Sequence, residues 1–146
     1  MTPCATLPLP AEPTVTAPDG SHVRVLLGLA GGTMAHFTLP AGATAKAVVH
    51  RTVEEIWYVT SGRGEMWRRQ GGDEGADGDA EEGACEGADE SVVALVPGLC
   101  LTIPLGTRFQ FRAAADRALE AVAITMPPWP GDGEAVEVPG PWTPSV

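Results

Sequence analysis

His50 and Glu55, separated by four residues in HRTVEE, are the two side chains of this sequence whose types and spacing best suit proton transfer. An imidazole exchanges its proton near ~pH 6.5, and a carboxylate beside it in a half-dry pocket orients or charges the ring, so the two can work as a general acid/base pair. The same two groups could also share a purely structural hydrogen bond, since buried polar groups need partners whatever their function. Glu54 is a second carboxylate close to His50 in sequence, but regular strand alternation turns it away from the Glu55 face, toward solvent and Arg51. Arg108 presents a fork of donors that fits a ligand carboxylate or enolate; the plainer alternative is a surface arginine in a turn. His36 lies on an earlier apolar run, where a strand histidine in a hydrogen bond is the ordinary expectation.

These residues need a scaffold of strands. EIWYVT, residues 55–60, carries the strongest strand signal because β-branched and aromatic residues dominate it, and period-two alternation puts Glu55, Trp57 and Val59 on one face. Trp57 is thereby either a wall of a pocket beside Glu55 or plain core. Residues 22–29 and 33–39 read as a hairpin across AGG, residues 45–51 as an extended run leading to His50, and residues 64–70 as the return arm of a second hairpin after SGRG. Further strands are expected at 91–96, at CLTIP, at RFQFR (108–112) and, after a break at Asp116, at LEAVAITM, which makes some nine short strands. RFQFR sorts Phe109 and Phe111 to one face, Arg108 and Gln110 to the other. The fold class is all-β, a barrel or double sheet.

Three regions follow from composition. Residues 1–21 form a Pro-rich N-terminal arm, residues 22–126 the barrel, and residues 127–146 a C-terminal arm in which Trp129 and Trp142 stand among prolines and lay their indoles on apolar surface. Within the barrel, residues 71–90 hold nine of the 19 acidic residues and no basic one, and read as a mobile solvated insertion rather than a calcium loop, whose ligand spacing they lack. The remaining chain is nearly neutral although the formal charge of the whole is −10. With no Lys/Arg cluster, nucleic acid and anionic membrane are excluded as partners. Cys4, Cys85 and Cys100 are odd in number and far apart, which suits reduced thiols, and the N-terminus has no signal-peptide pattern, so a cytoplasmic protein is expected.

GATAKAVVHRTVEEIWYVTSG, residues 42–62, resembles the first motif of the cupin superfamily in its spacing of Gly42, His50, Glu55 and Gly62, with Val48 where the family usually has its first histidine. Gly98, Pro104 and Gly106 match the second motif in register, with Phe109 at the histidine position and Ala113 at the asparagine position. The resemblance implies a single-domain cupin, a double-stranded β-helix or jelly-roll-like barrel with extended arms at both ends. It also implies a site at Val48, His50, Glu55 and Phe109, which in cupins commonly holds a transition metal through three histidines and a glutamate. Only two of those four ligands remain here, too few to hold a divalent metal against water, so no cofactor is required on the leading reading. A metal would need His36 to turn inward and complete a two-histidine, one-carboxylate set with His50 and Glu55. Because Phe109 replaces an inward ligand, Phe109 and Phe111 are expected to line a pocket that suits an apolar or aromatic small molecule. The expected activity is isomerisation, cyclisation or dehydration through His50 and Glu55. The alternatives are a metal-dependent oxygenase using His36, and a non-catalytic ligand-binding cupin. A homodimer that exchanges the arms is compatible with the chain but not required by it.

Overall fold

A computed structural model describes residues 1–71 and 89–146. Among these residues the structure is all-β, with two antiparallel sheets packed face to face. Strands β1 (Val15–Thr16), β2 (His22–Leu29), β3 (Gly32–Leu39), β5 (Glu54–Ser61), β8 (Cys100–Ile103) and β10 (Leu119–Met126) form the first sheet, in the order β1-β2-β3-β10-β5-β8. Strands β4 (Val48–His50), β6 (Gly64–Gln70), β7 (Asp89–Leu95), β9 (Arg108–Ala113) and β11 (Ala135–Glu137) form the second, in the order β11-β4-β9-β6-β7. No helix among the described residues is long and apolar enough to cross a membrane.

The expected 22–29/33–39 hairpin is present as β2 and β3, paired Val23 to Phe37 and Arg24 to His36. The second expected hairpin is not. β5 pairs with β10 and β8, whereas β6 pairs with β7 and β9, so the SGRG turn carries the chain from one sheet to the other. Gly62 makes that corner with φ of 85°, and a Cβ there would run into the Ala118 carbonyl oxygen, so only glycine fits. The other motif glycines, Gly42, Gly98 and Gly106, also have positive φ.

Two short strands lie in regions read as arms. Val15–Thr16 adds to β2, and Ala135–Glu137 pairs with β4, placing Ala135 opposite His50. Asp89 and Glu90, expected in the acidic insertion, begin β7, and Glu90 accepts a hydrogen bond from Trp67 Nε1 at 2.7 Å. The rest of the insertion expected to be mobile, residues 72–88, lies outside the described residues.

The core lies between the sheets. β5 alternates as predicted, with Glu55, Trp57 and Val59 buried and Ile56 and Tyr58 exposed. At its centre Phe37 stacks on Trp57 with ring centroids 5.1 Å apart, and Phe111 meets Trp57 edge-on at 5.0 Å. Such offset and edge contacts add to area burial. On the outer side of the second sheet the C-terminal arm covers Gln110, whose Nε2 donates to the carbonyls of Ala45 (2.8 Å) and Trp142 (2.9 Å), while the guanidinium of Arg112 lies 4.0 Å from the centre of the Trp142 ring. Trp142 thus meets a cation, not only apolar surface.

Candidate functional site

The end of β4 and the start of β5 bring the two principal residues together. Val48 and His50 face the interior while Val49 is turned outward, and after the 51–53 turn Glu55 faces the same interior from the opposite sheet. His50 Nδ1 lies 3.9 Å from Glu55 Oε2, too far for a direct hydrogen bond, and both side chains are largely buried. Glu55 Oε1 instead accepts from Trp57 Nε1 at 2.7 Å. The His50 ring is met edge-on by Phe109 at 5.4 Å and by Trp129 at 5.2 Å.

Burial sets the protonation of this pair. Removal from water lowers the His50 pKa to about 4, with the charge of Glu134 pulling weakly the other way. Removal from water raises the Glu55 pKa to about 7; the Trp57 hydrogen bond opposes this, and the negative charges of Asp19 and Glu134 add to it. At pH 6 the imidazole is neutral and the carboxyl protonated, the reverse of the charged pair a sequence reader expects. Asp19, at the turn into β2, is also raised by burial, against the two hydrogen bonds it accepts from Ser21.

Glu134 is a buried acid that sequence reasoning did not single out. Its carboxylate accepts from Thr52 N (2.7 Å), Thr52 Oγ1 (2.7 Å) and Val53 N (2.8 Å), and its carbonyl accepts from Arg51 N (2.9 Å). Burial would raise its pKa, but these hydrogen bonds, helped by His50, outweigh burial and lower it. It ties down the turn that carries His50 into Glu55. Nothing in GDGEAVEV marks it, because its partners lie about eighty residues earlier.

The remaining predicted residues separate. Trp57, Phe109 and Phe111 all point inward, but into the close-packed core. His36 points the other way: its neighbour Phe37 takes the interior, and His36 sits on the outer face with Nε2 3.1 Å from Glu120 Oε1 and Nδ1 buried without a hydrogen bond. His36 is thus the hydrogen-bonded strand histidine ordinarily expected, and the alternative in which it turns inward to join His50 and Glu55 is corrected. Arg108 shares the outer face with Val49 and Arg69, its cross-strand neighbours, away from Phe109.

No family model matches the chain, and no curated protein matches it in sequence. Solved structures do. A cupin protein from Bacteroides fragilis superposes with a TM-score of 0.58 at 21% identity, covering 87% of this chain and 86% of that one. The fold is that of the cupins. A protein with a double-stranded β-helix domain from Klebsiella pneumoniae subsp. pneumoniae gives 0.56 at 16% identity over 92% and 90%, and Peruvianin-I, a cysteine peptidase from Thevetia peruviana latex, 0.62 at 16% over 86% and 71%. Likeness at this identity fixes the fold and leaves the chemistry to the site.

The residues present do not fit the usual cupin metal. Of the four ligand positions only His50 and Glu55 keep donors, while Val48 and Phe109 are cross-strand partners, each 2% exposed. The two apolar replacements both lie in the hydrophobic core. Among the described residues no group of three His, Cys, Asp or Glu side chains is arranged to hold a metal ion.

Proposed function

We propose that this cupin-fold protein is a small-molecule enzyme that uses His50 as general base and Glu55 as general acid, in an isomerisation, cyclisation or dehydration of an apolar or aromatic metabolite. The observation that carries this reading is the 3.9 Å approach of His50 Nδ1 to Glu55 Oε2 beside an aromatic core. A neutral imidazole can take a proton from carbon or oxygen, although burial makes His50 a weaker base than a free imidazole, and a carboxyl with pKa about 7 can return one near the pH at which such transfer is efficient. In a dehydration the base removes the proton next to a carbonyl and the acid protonates the departing hydroxyl as water. In an isomerisation the same two groups remove and replace protons at adjacent atoms.

The test is exchange of carbon-bound hydrogen for deuterium in D2O, followed by NMR over a set of enolisable and β-hydroxy carbonyl compounds with aromatic or apolar substituents. Wild-type protein is expected to label at least one compound, and His50→Ala and Glu55→Gln each to slow that labelling by roughly 10²–10⁴-fold. Labelling that survives both substitutions unchanged would sink the reading.

A second reading, a non-catalytic ligand-binding protein of the cytoplasm, is favoured by the closure of the site. The core behind the pair is filled by Trp57, Phe109 and Phe111, and Trp129 lies against His50. Saturable binding of a compound that is recovered unchanged, with no deuterium in it, would support this alternative.

A further inference from the structure

We propose that Trp129 is a displaceable plug standing in the ligand position against His50, and that its indole turns outward as residues 130–133 move, to admit a planar aromatic ring of about an indole's size. The assignment of ligand position rests on the acid/base reading above; the motion of the plug does not.

A ligand that touches both His50 and Glu55 cannot come from behind them, where Phe37, Trp57, Phe109 and Phe111 pack ring against ring. Of the two rings that meet His50, Phe109 belongs to that core, whereas Trp129 is half-buried on the segment that leaves β10 and crosses to β11. The indole therefore marks where an incoming ring would meet the imidazole. A ring that replaced it edge-on would keep the same contact geometry against His50, the side chain that approaches Glu55 to 3.9 Å.

Trp129 is the least tethered of the four tryptophans. Trp57 Nε1 donates to Glu55, Trp67 Nε1 donates to Glu90, and Trp142 lies under Arg112. Among the described residues Trp129 Nε1 makes no hydrogen bond, so displacing the indole breaks no polar contact between the ring and them. The segment is clamped at its two ends, by Thr33 Oγ1, which accepts from Trp129 N at 3.1 Å, and by the Glu134 carboxylate. Between the clamps, Gly131 and Gly133 have φ of 114° and 87°, and a Cβ at either would meet nothing within 4 Å. Among the described residues two bonds hold this middle part: Arg51 Nε to the Gly133 carbonyl at 2.8 Å, on the exposed side, and Glu134 N to the Gly131 carbonyl at 3.4 Å. Unpacked glycines between two fixed points are the features a short hinge requires.

The experiment labels the whole protein with 5-fluorotryptophan, assigns the Trp129 signal with Trp129→Phe, and titrates with indole as the probe. Saturating indole is expected to move the Trp129 fluorine signal to its solvent value while those of Trp57 and Trp67 stay in place. Trp129→Gly is expected to bind indole at least about ten-fold more tightly than wild type, because no plug then has to be displaced. A Trp129 signal unmoved at saturation, a folded Trp129→Gly protein of no greater affinity, or no indole binding by either protein overturns the proposal. Should Trp129→Gly fail to fold, the double variant Gly131→Ala, Gly133→Ala tests the same point, since alanine is strained at those positive φ angles and the closed segment loses population. Its Trp129 signal should shift without ligand, and an unshifted signal overturns the proposal. None of these readouts involves turnover, so the failure of acid/base chemistry in the His50 and Glu55 variants would leave them unaffected.

Discussion

Burial raises the pKa of Glu55 and lowers that of His50, and each shift leaves its own mark on stability. Glu55 has a folded pKa of about 7 against the ordinary 4.5, so its contribution is complete below pH 4.5 and is lost as pH rises through 7. His50 has a folded pKa of about 4 against 6.5, so its contribution is complete above pH 6.5 and is lost as pH falls through 4. Between 4.5 and 6.5 the two slopes oppose one another. Glu55→Gln removes only the first. Its stability relative to wild type should therefore climb with pH between 4.5 and 7, by up to about 1.4 kcal/mol per pH unit, and stay level outside that window. Urea unfolding at intervals from pH 4 to 8 measures the difference, and a difference independent of pH would mean that Glu55 titrates as an ordinary surface carboxyl. Sequence brought His50 and Glu55 together through strand alternation and the resemblance of residues 42–62 to the first cupin motif, both of which are local. It could not supply their charge states, which depend on how much water the rest of the fold removes.

The element that fixes this pair is the 51–53 turn between β4 and β5, and its anchor comes from far down the chain. Glu134→Ala would leave Val53 N buried without an acceptor and free Thr52 N and Oγ1, costing about 2–4 kcal/mol, with Glu134→Gln milder because one oxygen remains to accept. Chemical denaturation of the two variants beside wild type provides the comparison, and equal loss in both would assign the effect to charge rather than to the acceptor. Long-range pairing of this kind is the part of the fold that was hardest to read. Apart from β1 and β11, which lie in regions read as arms, the described strands were recognisable from their own residues, yet β5 and β6 looked like a hairpin because they are joined by SGRG, while the Gly62 corner in fact sends them to separate sheets. The outward turn of His36 was, by contrast, legible. Ala35, Phe37 and Leu39 alternate with Met34, His36 and Thr38, and the larger apolar set takes the interior.

At the scale of the whole molecule, charge and fold are separable. The net charge of −10 rests largely on the connection between β6 and β7, while the described sheets close without it: Gln70 and Asp89 are already cross-strand partners at its two ends. Two strands so paired can be joined by a two-residue turn. Replacing residues 71–88 with Asn-Gly removes seven acidic residues and no basic one, taking the formal charge to −3. The shorter loop lowers the entropy lost on closure, and the logarithmic dependence on length puts the gain at about 1–2 kcal/mol. Repulsion among the acids is removed as well, a benefit that should fade as salt screens it. The shortened protein is therefore expected to unfold at higher temperature than wild type, by a margin that narrows from low to high salt, and to keep whatever ligand binding or deuterium exchange the site supports. A scanning calorimetry series at two ionic strengths, run beside the exchange assay, checks both halves. Loss of exchange in a shortened protein of undiminished stability would place part of the working site in the acidic connection, and the separation of charge from function would fail.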